Sequence, residues 1–212
     1  MNDVDIMTDR AKELEAAAKD IDPASLQAAK SAVATSCQEY IRLAELFSRC
    51  LEGVDPGELH KFARAFCLTL LGHLPTRPET CPFCIQYGHD KSCQGCGYAA
   101  THGCCDADDS AFSLFIEAFH ELGKLIYQDA TAKKEDDCLY GDIKRQLFAS
   151  LQASSQLASL MQGKLSSLSA LQLMQQKQIY IGQMIELLSL SIFSDDVIKQ
   201  FQLLQDRLKR YW

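Results

Sequence analysis

Residues 146–185 read QLFASLQASSQLASLMQGKLSSLSALQLMQQKQIYIGQMI, and their only charges are Lys164 and Lys177. Glutamine and serine supply the rest of the polarity. Leu147, Leu151, Ser154, Ala158, Met161, Leu165 and Leu168 recur at alternating steps of four and three, the spacing of a coiled-coil seam. The seam resumes at Met174, Gln178, Ile181, Ile185, Leu188 and Ile192. Two three-residue steps, Leu168–Leu171–Met174, join the halves, which reads as a stammer or a bend. Gly163 and Ser166-Ser167 are the alternative places for a break. No run in the chain carries a convincing strand period, so this stretch sets the fold class as all-α.

The same periodicity extends outward. Ser194-Asp195-Asp196 caps a last helix over residues 195–210, with Val197, Phe201, Leu204 and Leu208 on its apolar face. That helix is expected to fold back on its predecessor as a hairpin. Upstream, residues 110–133 carry a phenylalanine-rich stripe through Phe112, Phe115 and Phe119, preceded by the acidic residues 106–109. Residues 3–20 read as a charged helix. Asp22-Pro23 stops it and opens a second helix to about Leu51, and Asp55-Pro56 opens a third. All five prolines lie at or before Pro82, so nothing later forbids long helices. The expected division is residues 1–135, an N-terminal helical bundle, and residues 136–212, a C-terminal coiled-coil-like hairpin that can also pack into one domain with the first.

Between the helical parts lies an insertion, residues 81–105, CPFCIQYGHDKSCQGCGYAATHGCC, with six of the ten cysteines and two of the five histidines. Two Cys-x-x-Cys pairs, Cys81/Cys84 and Cys93/Cys96, are the pattern of a tetrahedral thiolate site, each pair turning two sulfurs onto one ion. Pro82 stiffens the first pair. Gly95 and Gly97 permit a tight second turn. CPFC and CQGCG resemble the knuckles of zinc-ribbon and zinc-finger proteins, a likeness covering about a tenth of the chain that implies bound zinc. His89, His102, Cys104 and Cys105 are additional or substitute ligands, enough with the four to serve two ions. Adjacent Cys104 and Cys105 cannot easily point the same way. His102 also reads as a histidine outside the ligand set. Iron–sulfur clusters use the same thiolates, although their familiar spacings differ.

Ten cysteines also fit a disulfide framework. Against it, the acidic N-terminal stretch has neither the apolar run nor the cleavage site of a signal peptide. No stretch reaches the roughly 18 apolar residues of a membrane span. The expected setting is cytoplasmic, where thiols stay reduced and clustered cysteines serve metals or catalysis. A net charge of −7 and a pI near 5.2 argue against nucleic-acid binding. No phosphate-binding glycine loop, G-x-S-x-G or Rossmann fingerprint is present. Glu117-x-x-His120 is half of a di-iron motif without its second half, and reads as an exposed face. Cys37, Cys50 and Cys67 read as buried small hydrophobes. Together these features argue against an enzyme. They point to a metal-binding helical protein acting as an interaction or assembly module, with structural Zn2+ at Cys81, Cys84, Cys93 and Cys96. The alternative is an iron–sulfur electron carrier or metal-centre accessory protein. The low-charge helix, residues 146–192, is expected to meet a protein partner or a second copy, with the first seam buried on residues 195–210 or on another chain.

Overall fold

The computed structural model describes residues 3–88, 93, 95–130 and 137–211, and the side chains within them from residue 11 to residue 209, apart from 137–139. Every regular element among these is helical. In order they are α1 (Asp3–Lys19), α2 (Pro23–Glu52), α3 (Leu59–Gly72), α4 (Pro82–Tyr87), α5 (Gly97–His102), α6 (Ala111–Gln128), α7 (Asp137–Lys164), α8 (Ala170–Leu188) and α9 (Asp195–Tyr211). Short 3-10 turns lie at Pro56–Glu58, Pro78–Thr80 and Leu165–Ser167. No described helix is long and apolar enough to cross a membrane.

The centre of the molecule is the contact of α2 with α7. Ala29, Val33, Cys37, Tyr40, Ala44 and Leu51 of α2 are buried, as are Leu147, Leu151, Ser154, Ala158 and Met161 of α7. Small residues on both stripes let the two backbones approach closely, so apolar surface is removed from water with few voids. The first seam therefore faces α2, not residues 195–210 and not a second chain. Heptad spacing gives the face of a helix and leaves the identity of its neighbour open. Burying Ser150 and Ser154 is offset by hydrogen bonds. Ser154 Oγ donates to Ser150 O at 2.6 Å, and Ser150 Oγ donates to Leu187 O at 2.5 Å, tying α7 to α8.

The stammer is a full break. Leu165–Ser167 tightens into a 3-10 turn, Leu168 is extended, and Ser169 caps α8. A capping box closes the new start, with Ser169 N donating to Gln172 Oε1 at 2.9 Å and Gln172 N donating to Ser169 Oγ at 3.3 Å. Gly163 stays helical. The last helix, α9, packs on α6 and on α8.

Other boundaries follow their caps. Asp22 accepts from Ser25 N at 2.8 Å at the start of α2. Ser110, not the acidic run before it, caps α6 by accepting from Ser113 N at 3.0 Å. Helix α6 ends at Gln128 rather than at residue 133; Asp129 leaves it in an extended conformation and is buried. Its Oδ2 lies 3.2 Å from His60 Nε2 and accepts from Ser194 N at 3.2 Å, joining α3, the end of α6 and the start of α9. Cys37 and Cys67 are buried as expected, whereas Cys50 is exposed, one position before the buried Leu51. The Cys138 side chain lies outside the described residues. Glu117 and His120 are exposed on α6.

Candidate metal centre

The 81–105 segment is carried by two six-residue helices, too short to hold themselves in water. Each is anchored by an aromatic side chain. Phe83 of α4 and Tyr98 of α5 are buried, with ring centroids 6.2 Å apart. The α4 end is further pinned by Gln86, whose Oε1 accepts from Asp22 N at 2.7 Å and whose Nε2 donates to Asp20 O at 3.0 Å. The α5 end lies against α1. A Cβ on Gly97 would stand 1.8 Å from the Ala17 Cβ, so only glycine permits this approach. The need for Gly97 is thus close packing and not positive φ. Gly95 and Gly103 do have positive φ, as does Cys93 at 47°.

The nine described cysteines are all free thiols. Cys81 and Cys96 are buried, while Cys84, Cys93, Cys104 and Cys105 are partly exposed. Both Cys-x-x-Cys turns are closed by backbone bonds, Ile85 N to Cys81 O at 3.1 Å and Cys96 N to Cys93 O at 3.0 Å. The six thiols form one chain of neighbours with two denser ends. Cys84 is hydrogen-bonded to both Cys81 and Cys105. Cys93 neighbours Cys96, Cys104 and Asp106 and is hydrogen-bonded to the Cys105 backbone. Cys96 neighbours both Cys104 and Cys81, and so stands between the two ends. Cys105 neighbours Cys84, and Cys104 neighbours Cys93 and Cys96. Of the spacing-based set Cys81, Cys84, Cys93 and Cys96, the first two are hydrogen-bonded to each other and Cys96 neighbours Cys81, while Cys105 joins them beside Cys84.

Lys177 of α8, 2% exposed, adjoins the Cys81, Cys84 and Cys105 end. Its Nζ donates to Thr80 O at 3.1 Å and lies 3.2 Å from Thr80 Oγ1. The Thr80 hydroxyl is held by Pro75 O and Arg77 O. The electrostatic neighbours of Lys177 are Cys81, Cys84 and Cys105, and no described carboxylate is among them. Burial lowers the lysine pKa, and Cys81, Cys84 and Cys105, when ionised to thiolates, oppose that by favouring its charged form. The hydrogen bond with Cys84, then burial, raises Cys81 well above the ordinary thiol range, while Lys177 and the Cys84 amide pull it down. Cys84 is pushed up to about 12, first by its hydrogen bond with Cys105. Burial raises Cys93 and Cys96 as well. As bare thiols these groups hold their protons at neutral pH.

His102 stacks on Tyr98, with ring centroids 4.3 Å apart, and its Nδ1 is 2.6 Å from Thr101 Oγ1. His89 lies outside the described residues. Among the described residues, no group of three or more His, Cys, Asp or Glu side chains is placed to hold one metal ion. Sequence reasoning did not assign Lys177 or Thr80 to this site. The signal was present: Lys177 falls within the stripe Ala170, Leu173, Tyr180, Met184, all buried at helical spacing. No family model, curated protein or solved structure matches the chain.

Proposed function

We propose that the chain is a non-enzymatic metal-binding helical protein, an interaction or assembly module whose 81–105 insertion is clamped by structural zinc. In this reading the insertion belongs to an N-terminal bundle, residues 1–135, followed by a C-terminal helical hairpin, residues 136–212, in a reducing compartment such as the cytoplasm. The observation that carries it is Lys177. A buried ammonium is costly unless an opposite charge accompanies it. The anions at hand are the thiolates of Cys81, Cys84 and Cys105, which metal binding would generate. The ligands of this reading are Cys81, Cys84 and Cys105, with Cys96 as fourth. This replaces Cys93 in the set expected from spacing. A thiol–thiol contact is close to the separation of sulfurs around a tetrahedral ion, about 3.8 Å for bonds of about 2.3 Å.

The interaction half of the reading rests on the outward side of α7. Its seam is covered by α2, yet Phe148 is 50% and Leu160 63% exposed, and no charge lies between Arg145 and Lys164. Surface helices ordinarily carry charge on such a face.

Elemental analysis of anaerobically purified protein tests the metal. Zinc is expected, and Cys84→Ser should lose it. An absence of metal, with no uptake of added zinc, would reject the reading. Iron with acid-labile sulfide and a brown colour would establish the iron–sulfur alternative on the same cysteines. Sedimentation of the wild type and of Phe148→Glu tests the interaction surface. An effect of Leu165→Glu would be uninformative there, because Leu165 is buried within the chain. A wild type that stays monomeric at high concentration would remove self-association.

A further inference from the structure

The six cysteines do not surround one point. Cys81, Cys84 and Cys105 gather beside the buried Lys177, which donates to Thr80. On the outer side a separate cavity of about 340 Å³ is lined by Cys93, Cys96 and Cys104 with Gly97, Ala99 and Ala100. Among the described residues, the lining offers no other side-chain donor than the three thiols. Cys93 holds a left-handed backbone, uncommon for a residue with a side chain and found where surrounding structure fixes a turn. Gly95, also left-handed, completes that turn.

From this partition, and resting on the reading that the cluster binds metal, we propose that the chain holds two thiophilic divalent cations: an inner one at Cys81, Cys84 and Cys105, and an outer one at Cys93, Cys96 and Cys104. Cys96 lies between the groups, so its sulfur can complete the inner site as a bridging thiolate. Charge follows the same division. Three thiolates and one divalent ion leave one net negative charge, which Lys177 offsets on the buried inner side. The outer group faces a cavity open to water, where a net charge is tolerated. Three thiolates leave one position of a tetrahedral outer ion for solvent, which makes that ion the exchangeable one. Closing either group on an ion requires the thiols to lose their protons and turn inward.

Titration of metal-free, reduced full-length chain with Zn2+ or Cd2+, read by native mass spectrometry, tests this. The wild type is expected to saturate at two ions, and a chelator should remove one at least tenfold faster than the other. Cys104→Ser, altering a partly exposed residue, should saturate at one ion with unchanged far-ultraviolet circular dichroism. A wild type that saturates at one ion overturns the second site and leaves the single-site reading standing. A wild type that takes up none overturns both. Retention of two ions by Cys104→Ser, or removal of both at one rate, overturns the outer assignment.

Discussion

The α2–α7 contact and the 81–105 segment both contribute buried side chains to one hydrophobic cluster, and they are held in different ways. The first is long. Helices of 30 and 28 residues share a stripe of fully buried apolar and small side chains, and area removed from water suffices to hold them. The second consists of two helices of six residues, each with one buried aromatic, around thiols and a lysine. Its apolar area is small, so it depends on close approach, on hydrogen bonds and, in our reading, on a metal. The difference teaches that cooperative helical packing and polar chemistry can occupy one core while answering to different perturbations.

The largest perturbation belongs to the long contact. Leu151→Ala opens a cavity at a fully buried position and should cost about 2–5 kcal/mol in urea unfolding. Metal content of the folded variant should stay at the wild-type level. A parallel loss of metal would show that the two regions are not separable.

Gly97→Ala strikes the short segment through its backbone. The added methyl would overlap Ala17, so α1 and α5 must separate, at about 1–3 kcal/mol. Hydrogen exchange should show lost protection in α1 and α5 with α2 and α7 unchanged. Unaltered exchange throughout would refute the close approach.

Lys177→Met sharpens the comparison, because its two effects have opposite sign. Removing a buried charge without a carboxylate partner should leave metal-free protein as stable or more stable. Metal affinity should fall about tenfold, or ~1.4 kcal/mol, because the thiolates lose their counter-charge. A variant that binds metal as tightly as wild type would separate Lys177 from the site. Next in size, Ser169→Ala removes half of the capping box at the α7–α8 break and should cost about 1 kcal/mol by thermal unfolding. An unchanged midpoint would show that the break does not depend on the cap.

The pH response should be the mildest. Burial raises Cys37 from its ordinary value near 9 to about 11. The folded state thus favours the protonated thiol. Its contribution to stability is complete below the unfolded value near 9 and is lost as pH rises through about 11. The raised thiols of the cysteine cluster act in the same direction in metal-free protein. Metal reverses this for the cluster: uptake releases protons, so affinity should rise with pH. Denaturation of metal-free and metal-loaded protein between pH 7 and about 10 distinguishes the two trends. Identical curves would refute metal-coupled ionisation.

Much of the fold was legible in the sequence. The steps of three and four in residues 146–185 identified buried stripes, and Asp22-Pro23 marked a true helix start. The stammer was visible as a phase slip, yet its conversion to a break came from the Ser169–Gln172 cap. The cysteine pairs were visible as pairs. The contact of Cys105 with Cys84 was not, because it joins residues on either side of α5, and local spacing carries no information about that return.

What the sequence by itself determined is local: helical class, the buried face of each long helix, the caps and the clustering of thiols. Those follow from period, backbone propensity and residue chemistry over short distances. Only the tertiary structure decided which faces meet. It placed α2 rather than α9 or another chain on the first seam, turned Asp129 inward to His60, and set Lys177 beside Cys81, Cys84 and Cys105, ninety-seven residues beyond Thr80. An apolar stripe is satisfied by any complementary stripe, so its partner is chosen by the packing of the whole chain.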